Sequence, residues 1–196
     1  MIIGICGFQG SGKDTVADYL CTAHGFVRLS FAGVLKDVCA ALFGWNREML
    51  EGRTKEARVA REQADPWWSE KLGIEGFSPR LALQLVGTDV FRRHFHADIW
   101  VLALEKKLSS FPKVVITDCR FPNEIATLRG AGAIIYSVSR GVAPAWVADY
   151  VERGVVPVGV HQSEYLWLGI RMDHTIENGG SLEDLYARVE AVIQRR

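Results

Sequence analysis

The chain has 196 residues, 48% hydrophobic and 23% charged, proportions that support one full apolar core and exclude both a disordered segment and a large multidomain machine. Its 23 basic and 23 acidic side chains cancel, so overall charge favours neither a nucleic-acid polymer nor an anionic membrane as partner. Any anion has to be bound locally.

Met1 to Cys6 is an apolar run ending in glycine, which predicts a strand buried on both faces at the centre of a parallel sheet. The start is short, lacks a basic region and runs into glycines, and no stretch approaches the roughly 20 apolar residues needed to cross a bilayer. A soluble, cytoplasmic chain is expected. From Lys13, the spacing of Val16, Leu20 and Ala23 predicts a helix that stops at Gly25. Phe26 to Ser30 reads as a second strand, and Val34, Leu35, Val38 and Leu42 as a second helix closed by Gly44.

Between Gly44 and Ser78 charges surround one apolar island at Trp67 and Trp68, the pattern of a mobile insert. Ser78 and Pro79 open a helix running to about Phe95, and Asp98 caps another through Leu108. Lys113 to Thr117 is a strand, Pro122 starts a helix, and Ala133 to Val138 and Met172 to Ile176 are further strands. Ser181, followed by Glu183 and Asp184, starts a terminal helix. Strands alternating with helices imply an α/β sandwich with a mostly parallel sheet. The cysteines, Cys6, Cys21, Cys39 and Cys119, have neither CxxC nor zinc-finger spacing and read as small buried hydrophobes.

Gly7 to Lys13 satisfies GxxxxGK between a buried strand and a helix start. Glycines at 7, 10 and 12 let successive backbone N–H groups turn inward to cradle phosphate oxygens, and Lys13 supplies a mobile charge for the transferred phosphoryl group. The Ser or Thr expected after the lysine is Asp14, with Thr15 next. Thr15 is then a candidate for phosphate or Mg²⁺, while Asp14 suits either the metal or the acceptor. The absence of an NKxD tetrad makes ATP a better donor than GTP.

Two sets suit a second anion. Arg80 and Gln84 lie four apart on one helix face, where a guanidinium forks onto a monophosphate and an amide reads a base edge. Asp118 ends an apolar strand, where open α/β sheets bind ligands, and Arg120 follows two residues later to bridge donor and acceptor. Arg140, Arg153 and Arg171 are lid candidates. Trp67 and Trp68 either stack a base or anchor the insert. His94, His96 and Asp98 resemble a metal cluster, but i and i+2 on a helix face apart. His161 with Glu164 fits a structural or lid role, because a phosphate acceptor is already ionised.

Gly7 to Thr15, Ser30 to Ala32 with Lys36, Phe77 to Arg92, Thr117 to Glu124, His161 to Glu164 and Ile176 to Leu185 together resemble the deoxynucleoside monophosphate kinases of tailed phages. The resemblance covers almost the whole chain in order and is weakest at 45–76 and 141–160. It implies the P-loop nucleoside monophosphate kinase fold, a three-layer sandwich around a five-stranded sheet, with Mg²⁺ and ATP as donor and a dNMP as acceptor. It also implies one domain over 1–196, with an acceptor-binding insert at about 44–78 and a lid at about 140–170. Lys13, Asp118, Arg120 and Arg140 would then be catalytic, and Gly7, Gln9, Gly10, Ser11, Gly12, Asp14, Thr15, Asn178 and Gly179 would bind the donor. Ser30, Lys36, Trp68, Arg80, Gln84, Thr88 and Arg92 would face the acceptor. Two alternatives are a P-loop kinase of a non-nucleotide metabolite, of the dephospho-coenzyme A or phosphomevalonate type, and an ATP-binding regulatory protein. Small molecules are the expected partners, with no nucleic-acid polymer or membrane. Oligomeric state is open, with a homodimer among the arrangements, and host cytoplasm is the expected location for a phage-encoded chain.

Overall fold

The structure, a computed structural model, describes residues 1–156, 158, 160 and 162–194. The chain forms two compact units, one built from Met1–Ser30 and the residues from Glu105 onward, the other from Phe31–Leu104. The segment expected as an insert, 44–78, falls wholly within the second.

The first unit is built on a five-stranded sheet. Strand β1 (Ile2–Cys6) leads through the glycine loop into helix α1 (Lys13–His24), followed by β2 (Val27–Leu29). After the second unit come β3 (Val114–Ile116), a helix over Pro122–Gly130, β4 (Ile134–Ser139), a helix over Trp146–Arg153, β5 (His174–Glu177) and a terminal helix over Leu182–Ile193. The strand order is β2-β3-β1-β4-β5 and every pairing is parallel, with Ile3 opposite Val115 on one side and Ile134 on the other. β1 is therefore central, as its unbroken apolar run requires.

Alternation along the strands builds two packed faces. Ile3, Ile5, Val115, Tyr136, Val138 and Ile176 form one buried cluster with Val16, Ala17 and Leu20 of α1 and Leu185 and Val189 of the terminal helix. On the other face, a Cβ at Gly4 would lie 3.0 Å from Leu128 of the Pro122–Gly130 helix. Helices on both faces make this unit a three-layer α/β sandwich. The terminal helix starts at a capping box in which the Ser181 hydroxyl accepts from the Asp184 N–H and the Asp184 carboxylate accepts from the Ser181 N–H.

The second unit is helical: α2 (Gly33–Phe43), α3 (Arg47–Glu51), α4 (Lys55–Glu62), α5 (Pro66–Leu72) and α6 (Pro79–Gln84), then a π-helical stretch over Leu85–Arg92 and α7 (Ile99–Leu108). The three helices in the first unit's later half are accordingly α8 (Pro122–Gly130), α9 (Trp146–Arg153) and α10 (Leu182–Ile193). The unit boundary falls inside α7.

The segment 44–78, whose charge pattern reads as a mobile insert, contains three short helices, each started by a side-chain cap: Asn46 accepting from Met49 N–H, Thr54 from Ala57 N–H and Asp65 from Trp68 N–H. The helix expected from Pro79 to about Phe95 is α-helical only to Gln84 and then widens. Gly87 packs so close to Leu35 that a Cβ there would lie 2.6 Å from Leu35 Cδ2, and its carbonyl accepts the buried Trp100 indole N–H at 2.9 Å. These contacts pin the widened turn in place.

The core of this unit gathers Leu35, Cys39, Leu50 and Trp100, with Phe43, Trp45, Phe91 and others packed against them. Beside it lies an ionic network. Lys36 Nζ donates to Glu51 at 2.9 Å, and Arg47 donates to Glu51 at 2.7 Å and to Asp37 at 2.6 Å. Burial by itself would push the Glu51 carboxyl up, but its hydrogen bonds with and attraction to Arg47 and Lys36 outweigh that and bring it to about 2. A carboxyl depressed in the folded state stabilises above its ordinary value near 4.5 and loses that contribution as pH falls toward about 2. Glu51→Gln should therefore lower stability by about 2 kcal/mol at pH 7, with the gap closing in urea titrations run at successively lower pH. A gap of equal size at pH 7 and pH 2.5 would show that the network contributes no such charge-linked stability.

Candidate active site

The glycine loop is shaped by backbone that other residues avoid. Gly7, Gly10 and Gly12 have φ of 145°, 80° and 103°, the left-handed side of the map. A Cβ on Gly7 would lie 2.4 Å from the Val138 carbonyl oxygen, so the loop sits directly against the end of β4. Asn178, just past β5, donates its side-chain N–H to the Ser11 carbonyl at 2.8 Å, and its backbone N–H to Ser139 at 2.7 Å. Thus β1 supplies the loop, β4 its wall and the β5 turn its clasp.

Lys13 lies across the loop, its ammonium donating to the Gly7 and Phe8 carbonyls, each at 2.7 Å. Burial, and after it the Arg120 guanidinium, pulls Lys13 below the ordinary lysine range, while Asp14, Glu164 and Cys6 offset part of the effect. Ser11 is buried, and its hydroxyl has no hydrogen-bond partner among the described residues. A buried unpaired hydroxyl in a loop whose glycines at 7, 10 and 12 all have positive φ, with open space around Gly10, fits a ligand rich in acceptor oxygens. Gln9 is exposed at the loop's tip, and Thr15 is half-buried in the first turn of α1.

Asp14, expected beside the metal or the acceptor, has its carboxylate engaged by Arg28 of β2. The same guanidinium donates to the Thr117 hydroxyl at 2.9 Å and to Asp18 at 3.1 Å. Arg28 was not singled out from the sequence: it lies fourteen positions from Asp14, on a strand, and only the parallel β2–β3 pairing brings it beside Thr117.

Beyond β3, Asp118 and Arg120 follow Thr117 at the carboxyl end of the sheet. Their turn is held by the buried Glu124, whose carboxylate accepts the N–H groups of Arg120 at 2.9 Å and Phe121 at 3.1 Å. Arg120 donates to Glu164 at 2.9 Å. That glutamate belongs to the segment expected as a lid, and so do Trp146 and Trp167, which pack edge-on against Phe8 of the glycine loop at 6.1 and 5.1 Å between ring centres. Helix α9, which contains Trp146, was not anticipated. Arg140 is exposed, and no described residue pairs with it. His161 lies outside the described residues.

The acceptor-side candidates, apart from Ser30, lie in the second unit. Arg80 and Gln84 are exposed and one turn apart on α6, with Arg80 Nε 3.8 Å from Glu62. Thr88 and Arg92 sit on the π-helical stretch, so the i, i+4 stripe begun by Arg80 and Gln84 does not run on through them. Lys36 is drawn into the ion network with Glu51. Trp68 donates its indole N–H to the Phe43 carbonyl at 3.1 Å and meets the Phe43 ring edge-on at 5.1 Å, the anchoring role, whereas Trp67 is 58% exposed. Ser30 is half-buried between β2 and α2 in sequence.

Among the described residues no group of three or more His, Cys, Asp and Glu side chains is placed to hold a metal. His96 instead uses its ring Nδ1 to accept the Asp98 N–H at 3.1 Å. Cys6, Cys39 and Cys119 are buried, Cys21 is half-buried, and burial pushes the Cys39 thiol up to about 11. No helix among the described residues is long and apolar enough to cross a membrane.

The family described as deoxynucleotide monophosphate kinase matches residues 53–189. A relative in Acanthamoeba polyphaga mimivirus, named for the same activity, is 29% identical over 96% of this chain and 94% of its own. The deoxynucleoside-5'-monophosphate kinase of Escherichia phage T5 is 32% identical over 66% of this chain and 72% of its own. The deoxynucleotide monophosphate kinase of Enterobacteria phage T4 is 24% identical over 98% of both chains.

Proposed function

Because the chain belongs to the deoxynucleotide monophosphate kinase family, and so is a phosphotransferase acting on deoxynucleoside monophosphates, we propose that its glycine loop seats the polyphosphate of ATP while Arg80 and Gln84 hold the acceptor nucleotide. The observation that carries the donor half is the loop itself: its three left-handed glycines, a Ser11 hydroxyl unpaired among the described residues and the Asn178 clasp. In this reading Lys13 exchanges its two loop carbonyls for the phosphoryl oxygens of the donor. Gly179, exposed beside Asn178, borders the base of the donor.

Phosphoryl transfer asks little covalent work of the protein; it requires two repelling anions to be held together and the developing charge to be spread. Lys13 and Arg120, near enough for the one charge to act on the other, supply that charge, with Arg140 as a further cation. Glu164 holds Arg120 through the lid, and the 140–170 segment shields the loop from water through its aromatic contacts with Phe8. The oxygen donors Thr15 and Asp118 suit Mg²⁺, with Asp14 held at the edge by Arg28. The metal, when bound, neutralises phosphate charge. The helical segment 44–78 serves the acceptor.

The test is a coupled ADP-release assay over a panel of deoxynucleoside monophosphates. Arg80→Ala should raise the acceptor KM by about 10- to 100-fold, with kcat and the ATP KM much less affected. Unchanged acceptor kinetics would remove Arg80 from the substrate, and ADP release that never depends on any acceptor would remove the assignment of both sites.

A further inference from the structure

The residue after the loop lysine carries a charge of the wrong sign for its place. Asp14 follows Lys13 directly in the first turn of α1, where an incoming polyphosphate adds several negative charges, so an unrestrained carboxylate there would repel the donor. It would also compete for the neighbouring ammonium, which has to be released to phosphoryl oxygens. Nor is that carboxylate committed to the helix start, because α1 begins at Gly12 without a side-chain cap. In the structure Lys13 bonds to the Gly7 and Phe8 carbonyls, and the Asp14 carboxylate is taken by Arg28.

Arg28 is the fixed member of this pair, its side chain 14% exposed against 73% for Asp14. It stands opposite Val115 in the β2–β3 pairing, and its guanidinium donates to the Thr117 hydroxyl at 2.9 Å. The same hydroxyl donates to Asp14 at 3.4 Å. The carboxylate is thus drawn toward the β2–β3 side by two groups that lie outside α1. Asp18, one turn further along α1, accepts from the other guanidinium nitrogen at 3.1 Å. A planar fork serves these separate acceptors at once, which the point charge of a lysine does not.

We propose that Arg28 is a positioning residue for phosphoryl transfer: by holding the Asp14 carboxylate beside Thr117, it keeps that charge off Lys13 and away from the donor phosphates. This rests on the assignment of the glycine loop to ATP and gives a role to a residue outside the loop. Arg28 acts through Asp14 alone, so its loss is harmful only while residue 14 is an anion.

The experiment measures kcat, the KM for ATP, the KM for dNMP and the melting temperature of Arg28→Met and Arg28→Lys, each made in the wild-type and in the Asp14→Asn background, with Lys13→Ala as the reference for the loop. Methionine keeps the stem and removes the charge; lysine keeps the charge and removes the fork, and supplies the same comparison should methionine unfold the chain. Arg28→Met should lower kcat/KM for ATP by about tenfold or more, and Arg28→Lys by less, with the dNMP KM within about twofold of wild type. In the Asp14→Asn background the same Arg28 substitutions should cost about twofold or less. An equal loss in both backgrounds would overturn the proposal, since Arg28 would then act without Asp14. Unchanged ATP kinetics in the Arg28 variants would overturn it too, and a lowered melting temperature with those kinetics preserved would make the ion pair purely structural. Any of these results beside an impaired Lys13→Ala leaves the loop's assignment standing, whereas undiminished kcat/KM for ATP in Lys13→Ala would overturn that assignment and this proposal with it.

Discussion

Replacement of Lys13 by alanine should reduce kcat by about 10³-fold or more while leaving the protein folded. The ammonium is the first cation of α1 and already lies over the loop, bonded to two of its carbonyls at 2.7 Å, so transfer to a bound phosphoryl group requires only rotation of a flexible side chain. Its removal frees two carbonyls of the half-buried residues Gly7 and Phe8, so a modest loss of stability is expected. Arg120 also contributes charge at this end of the sheet, but its guanidinium is tied to Glu164 and cannot occupy the place of Lys13. Melting temperature within a few degrees of wild type, together with single-turnover rates, separates a chemical defect from unfolding. Retention of more than about a tenth of wild-type kcat would show that the lysine does not contact the reacting phosphoryl group.

Gly7→Ala should damage both stability and nucleotide binding. The new methyl group would meet the Val138 carbonyl oxygen at 2.4 Å and the Ser11 hydroxyl at 2.9 Å, from a backbone whose φ of 145° already disfavours a side chain. The first obstacle is backbone of β4, a strand paired on both sides, so it cannot turn aside as a side chain would; β1 and β4 would have to part where Cys6 pairs with Ser137. A loss of about 2–4 kcal/mol in chemical denaturation is expected, along with disappearance of the ATP-induced thermal shift. A variant that melts like wild type and is still protected by ATP would mean that the loop does not press on β4 as described.

Much of the first unit was legible because its signals are local. An unbroken apolar run announces a central strand, glycines announce the loop and the stops after α1 and α2, and Ser181 with two acids announces α10. The strand ends differ from expectation by only a residue or two, as at β5, expected from Met172 and found from His174. The second unit was harder because its helices are short and α4 buries no residue completely, so no apolar stripe rises above the charges. Its start signals are the caps Asn46, Thr54 and the Asp65–Pro66 pair, which are local in sequence but carry no hydrophobic periodicity. The widened turn after Gln84 depends on Leu35 and Trp100, far away in sequence, and nothing local marks it. The same holds for the site. Lys13, Asn178 and Arg120 belong to recognisable motifs, whereas Arg28, Glu164 and the Phe8 aromatic contacts exist only after the strands have been ordered.

The glycine loop is synthesised long before its wall at Val138 and its clasp at Asn178. At ordinary translation speeds that interval lasts on the order of ten to thirty seconds, during which the nascent polypeptide carries an unfinished nucleotide seat. Completion of the loop's surround is therefore a late event in biogenesis, available only after β5 has joined the sheet.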